Sequence, residues 1–277
     1  MLRIRISVIL NLMALPPEGS AIAPHLAHPA SRCHEAAPSA AAKGIPMKLQ
    51  EPLFHGTLIR RYQRFLADVE LDDGSLVTAH TPNTGSMQGC ARPGSRVILS
   101  ISANAARKYP HSWELVHTDG VWVGINTLLP NRLVREGIEN GTIAELSGYP
   151  QIRAEVPYGT GSRIDLLLSG ARGKCYVEVK NVTLVQSGCA LFPDAVSARG
   201  QKHLRELMEV VRLGHRGVNL FVVQRGDGES VSPADAIDPA YGALLREAAQ
   251  AGVEILAYQA EVTRNEIRLI RSLPVQL

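Results

Sequence analysis

The chain has 277 residues, of which 45% are hydrophobic and 20% charged, the composition of an ordinary globular protein long enough to bury two cores. Its net charge of +3 and pI near 8.7 are only mildly basic, so a nucleic-acid partner is allowed and any basic footprint has to be local. Cys33, Cys90, Cys175 and Cys189 are scattered without a C-x-x-C pair or a Cys/His cluster, which excludes zinc-finger spacing and fits a reducing, cytoplasmic compartment.

Residues 1–46 differ from the rest. Arg3 and Arg5 precede the apolar run Ile6–Leu15, with small residues at Ala21–Ala23, the physical cue of a secretory signal peptide. Pro24 to Pro46 is rich in Ala, Pro and His without usable periodicity and reads as disordered. Met47-Lys-Leu-Gln stands immediately before the first patterned segment and reads as the functional N-terminus, which makes 1–46 a disordered or misassigned extension. Export, with a mature chain beginning near Ala23 or Pro24, would overturn that reading. No later stretch is long and apolar enough to span a membrane.

Residues 47–123 read as an all-β domain. Short runs at Thr57–Ile59, Arg64–Leu71, Leu76–Thr81, Arg96–Ile101 and Val121–Ile125 are separated by turn residues, including Asp72-Asp73-Gly74 and Arg92-Pro93-Gly94. Five short strands in so small a span suit a barrel of the oligonucleotide-binding (OB) kind. Arg60, Arg61, Tyr62, Arg64 and Phe65 mix cations with aromatics, and Arg107, Lys108, Tyr109, His111 and Trp113 repeat the mixture. Cations meet phosphates and rings stack on unpaired bases, so Arg60, Arg61, Arg64, Arg107 and Lys108 are candidate nucleic-acid contacts. Phe65 and Trp113 read equally well as core. Pro82-Asn83-Thr84-Gly85-Ser86 is either a plain loop or a phosphate cradle made of backbone amides.

Residues 124–277 change period to alternating helix and strand. Leu128, Leu129, Leu133, Val134 and Ile138 recur at helical spacing between Pro130 and Gly141. Strands follow at Ile152–Tyr158, Arg163–Leu168 and Cys175–Val182, then a helix from Arg199 to about Leu213. A strand at Val218–Gln224, a helix at Pro239–Ala251 and a strand at Val253–Tyr258 complete the order. This is a mixed sheet covered on both faces.

A hairpin through Gly170–Gly173 brings Asp165 beside Glu178, and the two-residue strand period puts Glu178 and Lys180 on one face. Two carboxylates and an ammonium are what metal-assisted phosphodiester hydrolysis needs. A lone E-x-K is weak evidence, since strands often carry such a pair on a solvated face. The helix, three strands, helix, strand order strengthens it. Nucleases of the restriction-endonuclease-like, PD-(D/E)xK class share that αβββαβ order, with Asp on the second core strand and E-x-K on the third.

From Leu49 to Leu277 the chain also resembles the sugar fermentation stimulation protein A family. The resemblance is carried by Arg60-Arg-Tyr-Gln-Arg-Phe-Leu-Ala-Asp68, His80-Thr-Pro-Asn-Thr-Gly85, Lys108-Tyr-Pro-His-Ser-Trp-Glu114 and Glu145-Leu-Ser-Gly-Tyr149. Ser162-Arg-Ile-Asp165, Glu178-Val-Lys-Asn-Val-Thr183, Phe192-Pro-Asp-Ala195 and Arg199-Gly-Gln-Lys-His-Leu-Arg-Glu-Leu207 continue it. It implies an OB-like domain followed by a nuclease-like domain, nonspecific DNA binding and a regulatory role in sugar (maltose) metabolism.

The expected function is nucleic-acid binding with a metal-dependent nuclease site. Asp165 and Glu178 hold Mg2+ or Mn2+, and Lys180 orients water or offsets developing charge. Glu136, or else Glu145, is the candidate third carboxylate, although a helix Glu is usually a solvated face residue. Arg163, Gln201 and Lys202 are further candidate contacts to DNA or RNA, with salt bridging as their bland role; His203 is a candidate acid or base, and a lone His is more often structural. The alternative is a nonspecific DNA-binding regulator with little or no turnover. A dimer is compatible with the sequence, which sets neither oligomeric state nor sequence specificity.

Overall fold

The first strands close on themselves because β2 is long enough to pair on both sides. The computed structural model of the chain describes residues 46–277 apart from 105, so the signal-peptide cue and Cys33 lie outside the described residues. After β1 (Met47–Lys48) come β2 (Leu53–Tyr62), β3 (Leu66–Leu71), β4 (Leu76–His80), β5 (Arg96–Ile101), β6 (His111–Thr118) and β7 (Val121–Gly124). β2 pairs with β3 and β5, β3 with β4, and β5 with β6; a parallel β4–β6 pairing closes five strands into a barrel, and β7 adds to β6. Closure removes the sheet edges. Leu58, Val69, Val97, Leu99 and Trp113 fill the interior.

Gln63 and Arg64 both have positive φ, at 49° and 64°, so the β2–β3 connection is a tight turn and Arg64 is not in a strand as its sequence suggested. The expected turn at Asp72-Asp73-Gly74 is present, with Gly74 at φ 83° and its amide donating to the Leu71 carbonyl. Strand β6 was not expected. Its Glu114 is buried and accepts from Ser100 and Asn126, both at 2.7 Å, so a charged residue faces inward and hides the alternation.

The helix–strand half has the expected order: α1 (Pro130–Glu139), a 3-10 turn at Ala144–Leu146, β8 (Gln151–Tyr158), β9 (Ser162–Gly170) and β10 (Gly173–Val182). A short hairpin, β11 (Leu184–Gln186) and β12 (Cys189–Phe192), precedes α2 (Ala198–Arg212) and β13 (Arg216–Val223). Then come β14 (Ser230–Pro233), α3 (Pro239–Gln250), β15 (Glu254–Val262) and β16 (Glu266–Ser272). The main sheet has seven strands in the order β1-β16-β15-β13-β10-β9-β8, with β10, β13 and β15 mutually parallel. β14 pairs with β12 in a small separate sheet.

Each face of the main sheet has its own core. Val177 and Val179 of β10 pack with Leu133 and Val134 of α1, and this core also takes Ile98 and Leu115 from the barrel. Phe221 of β13 packs with Leu204 of α2 and Tyr241 of α3 on the other face. Residues of β10 therefore alternate between the α1 side and the α2 side, which sends Glu178 and Lys180 toward α2.

Arg225 ties the barrel to the sheet. It is 2% exposed and donates to both Asp227 oxygens at 2.6 Å, to the Thr183 carbonyl at 2.9 Å and to Asp119, in the β6–β7 turn, at 3.3 Å. Removing it strands a buried carbonyl and the carboxylates, although the latter reach solvent. Arg225→Ala is expected to cost about 2–3 kcal/mol in urea denaturation; a cost within error of zero would show that the contact does not support the junction.

Candidate active site

Asp165, Glu178 and Lys180 meet at a place where strand pairing gives way to side-chain bonding. The β9–β10 ladder runs from Gly170/Gly173 to Leu166/Val177, so Asp165 is the next residue and faces Glu178 in register. There the Val179 amide donates to Asp165 Oδ2 at 2.8 Å instead of to the neighbouring strand. On the other side of β9, pairing with β8 skips Glu155, whose φ is 54°. Ile164 and Leu167 both join the α2-side core although three residues apart, so the period of two breaks across Asp165. This irregularity frees the carboxylate from the pleat.

From α1, Asn131 donates to Asp165 Oδ1 at 3.0 Å. On the α2 side, Lys180 Nζ donates to Glu178 Oε1 at 2.5 Å, and Nδ1 of His203 contacts the same oxygen. Nε2 of His203 accepts from Arg199 Nε at 3.4 Å, and Lys180 Nζ lies 3.4 Å from Nδ1 of the same ring. Glu178, Lys180 and His203 are all buried.

Electrostatics separate the two carboxylates. Burial raises the pKa of Asp165, the charge of Glu178 raises it further, and the bonds from Val179 and Asn131 only partly oppose this. Burial also pushes Glu178 upward, but Lys180 and His203 outweigh it and hold Glu178 below its ordinary value. Glu178 Oε2 is buried and has no hydrogen-bond partner. A buried, unpaired carboxylate oxygen beside a second carboxylate is a donor set that suits a hard divalent cation.

Asp165 and Lys180 line a cleft of about 860 Å³ that is also bordered by Arg64 and Asn83–Gly85 of the barrel and by the start of α2. Ser197 caps that helix by accepting from the Gly200 amide at 3.0 Å. Asp194 fastens the barrel loop to this wall, accepting from the Met87 amide at 2.8 Å through Oδ2 and from the Ser86 hydroxyl at 2.5 Å through its carbonyl.

Several expected contacts are placed elsewhere. Glu136 is not gathered to the pair: it lies five residues beyond Asn131, about 140° around the helix, and among the described residues no group of three His, Cys, Asp or Glu is set around one point. Glu145 accepts instead from the Tyr258 hydroxyl at 2.6 Å. Arg61 is spent on the carbonyls of Arg64, Asn83, Gly85 and Ser86, at 2.5–3.3 Å, and so shapes the loop. The Asn83, Gly85 and Met87 amides are occupied by Thr81, Asn83 and Asp194 side chains, which removes much of the phosphate cradle read from this run. Gln201 donates to both oxygens of Asp238 and is likewise structural.

The other cations keep part of their surface free. Arg60 pairs with Asp68 at 2.8 Å, Arg64 donates to the Thr84 carbonyl at 2.8 and 3.0 Å, and Arg107 donates to Ser112 at 2.8 Å. Lys108 lies over Tyr109, Arg163 donates to the Glu155 carbonyl at 2.8 Å, and Lys202 donates to the Thr160 carbonyl at 2.8 Å. Of all these only Arg64 lines the cleft of Asp165 and Lys180. Asn131 escaped the sequence reading, since one Asn after a Pro carries no spacing signal.

Residues 128–266 match the family model described as the Sugar fermentation stimulation protein RE domain, and residues 59–125 match the SfsA N-terminal OB domain. Sugar fermentation stimulation protein homologs of Citrifermentans bemidjiense and Geobacter sulfurreducens are 78% and 71% identical to the chain. The matches cover 83% of this chain in each case, and 100% and 98% of theirs. The chain belongs to the sugar fermentation stimulation protein family. A solved member, Pyrococcus furiosus SfsA in complex with Ca2+, is similar with a TM-score of 0.76 and 31% identity, over 83% of this chain and 100% of that one.

The raised Asp165 pKa has a consequence for stability. Between the ordinary carboxylate range and the raised value the folded state holds the extra proton, so stability falls as pH rises through that window and the full penalty stands at neutral pH. Asp165→Asn is expected to raise the Tm of the cation-free protein at pH 7 by about 2–4 °C, corresponding to about 1 kcal/mol. The gain should vanish below about pH 4. A lower Tm at pH 7 would contradict the penalty assigned to burial of the Asp165 charge beside Glu178.

Proposed function

We propose that this chain is a divalent-cation-dependent phosphodiesterase acting on nucleic acid, with DNA as the first candidate, RNA as the second and little sequence specificity. The observation that carries the reading is the pair of coupled carboxylates, one held high and one low, with Glu178 Oε2 buried and unpaired and with Asp165 and Lys180 lining the cleft. Opposed perturbations of neighbouring titratable groups in a cleft mark functional sites. Asp165 and Glu178 would hold the cation, Mg2+ or Mn2+ in use. The Ca2+ complex of the Pyrococcus relative supports this, because these ions share a preference for oxygen ligands.

A cation there supplies a lowered water pKa and a polarised phosphate oxygen. The chain's own residues do the rest. Asn131 and the Val179 amide fix Asp165, while His203 and Lys180 fix Glu178. Lys180 carries the positive charge best placed to offset charge developing on the phosphate. The N-terminus of α2 adds its dipole on the same wall. Arg64 would contact the backbone of the bound strand from the barrel side, and Arg60, Arg107, Lys108, Arg163 and Lys202 would add weaker contacts outside the cleft.

The test is to incubate the full chain with single- and double-stranded DNA and RNA in Mg2+, Mn2+ or EDTA. Cleavage is expected only with the cations. Asp165→Ala and Lys180→Ala are each expected to lower the rate about 10²–10³-fold. Tight, salt-sensitive binding without cutting under every condition would overturn the enzyme and leave a DNA-binding regulator.

A further inference from the structure

Away from the cleft, the barrel carries a second polar hollow of about 400 Å³, walled by His55, Asp72, Arg96, His117, Trp122 and Arg264. None of these residues lines the cleft of Asp165. His55 stands six residues before Arg61 on β2, which at about 3.3 Å per residue is roughly 20 Å along the strand.

The hollow joins one aromatic wall to two guanidiniums. The chain has two tryptophans, and Trp113 is fully enclosed in the barrel core, whereas Trp122 is only half-buried. Trp122 stands opposite His117 across the β6–β7 pair, their rings 5.1 Å apart and meeting edge-on. Arg264, in the turn between β15 and β16, places its guanidinium 6.0 Å from the indole centroid. It forms no ion pair among the described residues, while nearby Arg268 is paired with Glu261 at 2.6 Å. Arg96 is held at the edge by two bonds to Asp72, at 2.7 and 2.8 Å, and Asp72 is the only carboxylate in the wall. One unpaired guanidinium, a second held by Asp72, two imidazoles and an indole suit a planar ring that carries an anion.

We propose that this hollow is a second binding site, for a nucleotide unit of a single-stranded nucleic acid. The base stacks on the exposed part of Trp122, and its phosphate is taken by Arg264. The assignment rests on the reading that the protein acts on nucleic acid, and it gives the barrel a role that Arg61 cannot have. A free nucleotide has the same chemistry and is the competing source.

The experiment follows tryptophan emission of the full chain in EDTA, where cleavage does not contribute. The probes are an oligothymidylate of about ten nucleotides, an abasic deoxyribose-phosphate strand of equal length, and thymidine monophosphate. The oligothymidylate is expected to quench emission, and the abasic strand is not. Arg264→Glu, in an exposed turn where folding is not at stake, is expected to weaken oligothymidylate binding about tenfold and to lower the salt slope by about one. Trp122→Leu, checked for folding by circular dichroism and followed by anisotropy of a labelled oligothymidylate because it removes the reporting indole, is expected to weaken it at least about fivefold. Because emission is read in EDTA, where no cutting takes place, a failed nuclease and a failed second site give different results. Parental affinity in Arg264→Glu would overturn the proposal, and so would thymidine monophosphate binding as tightly as the oligomer.

Discussion

The site depends on keeping two carboxylates side by side in a poorly solvated place. Strand register alone brings Asp165 opposite Glu178, but an unbroken ladder would turn both into ordinary pleat residues. The skipped Glu155 on β8 and the bond from the Val179 amide to Asp165 break the ladder at that point. The surrounding fold then compensates unequally: Glu178 receives Lys180 and His203, whereas Asp165 receives only neutral donors. The remaining imbalance is a stability cost that a bound cation would offset.

The barrel and the sheet are not independent in this arrangement. Ile98 and Leu115 of the barrel share a core with α1, Arg225 bonds to the β6–β7 turn, and Asp194 holds the loop after β4. The loop at Asn83–Gly85 is shaped from within by Arg61 and held from outside by Asp194. One wall of the cleft is therefore set by barrel residues and the other by the residues around α2.

Much of this was legible in the letters. The OB barrel, the α/β order, the Gly170–Gly173 hairpin and the convergence of Asp165, Glu178 and Lys180 follow from period and turn chemistry. Strand β6 was hidden by buried Glu114, and β16 lay beyond the last strand the pattern suggested. The roles of the polar residues were least legible. Arg61 and Gln201 read as free contacts in sequence, yet three-dimensional neighbours claim their donors. Glu136 looked like the acid of α1, but the helical turn presents Asn131 to Asp165. Such assignments depend on which side chain reaches which partner across distant positions in sequence, 22 to 25 for Arg61 and the loop carbonyls and 34 for Asn131 and Asp165, and no local pattern encodes that.

The proposed phosphodiesterase depends on Asp165 and Glu178 holding one divalent cation together. Calorimetric titration of Mn2+ into the full chain at pH 7, beside Asp165→Asn and Glu178→Gln, tests it most directly. One saturable binding event is expected in the parent and is lost in both variants. Equal binding in parent and variants, or none in the parent, would contradict it.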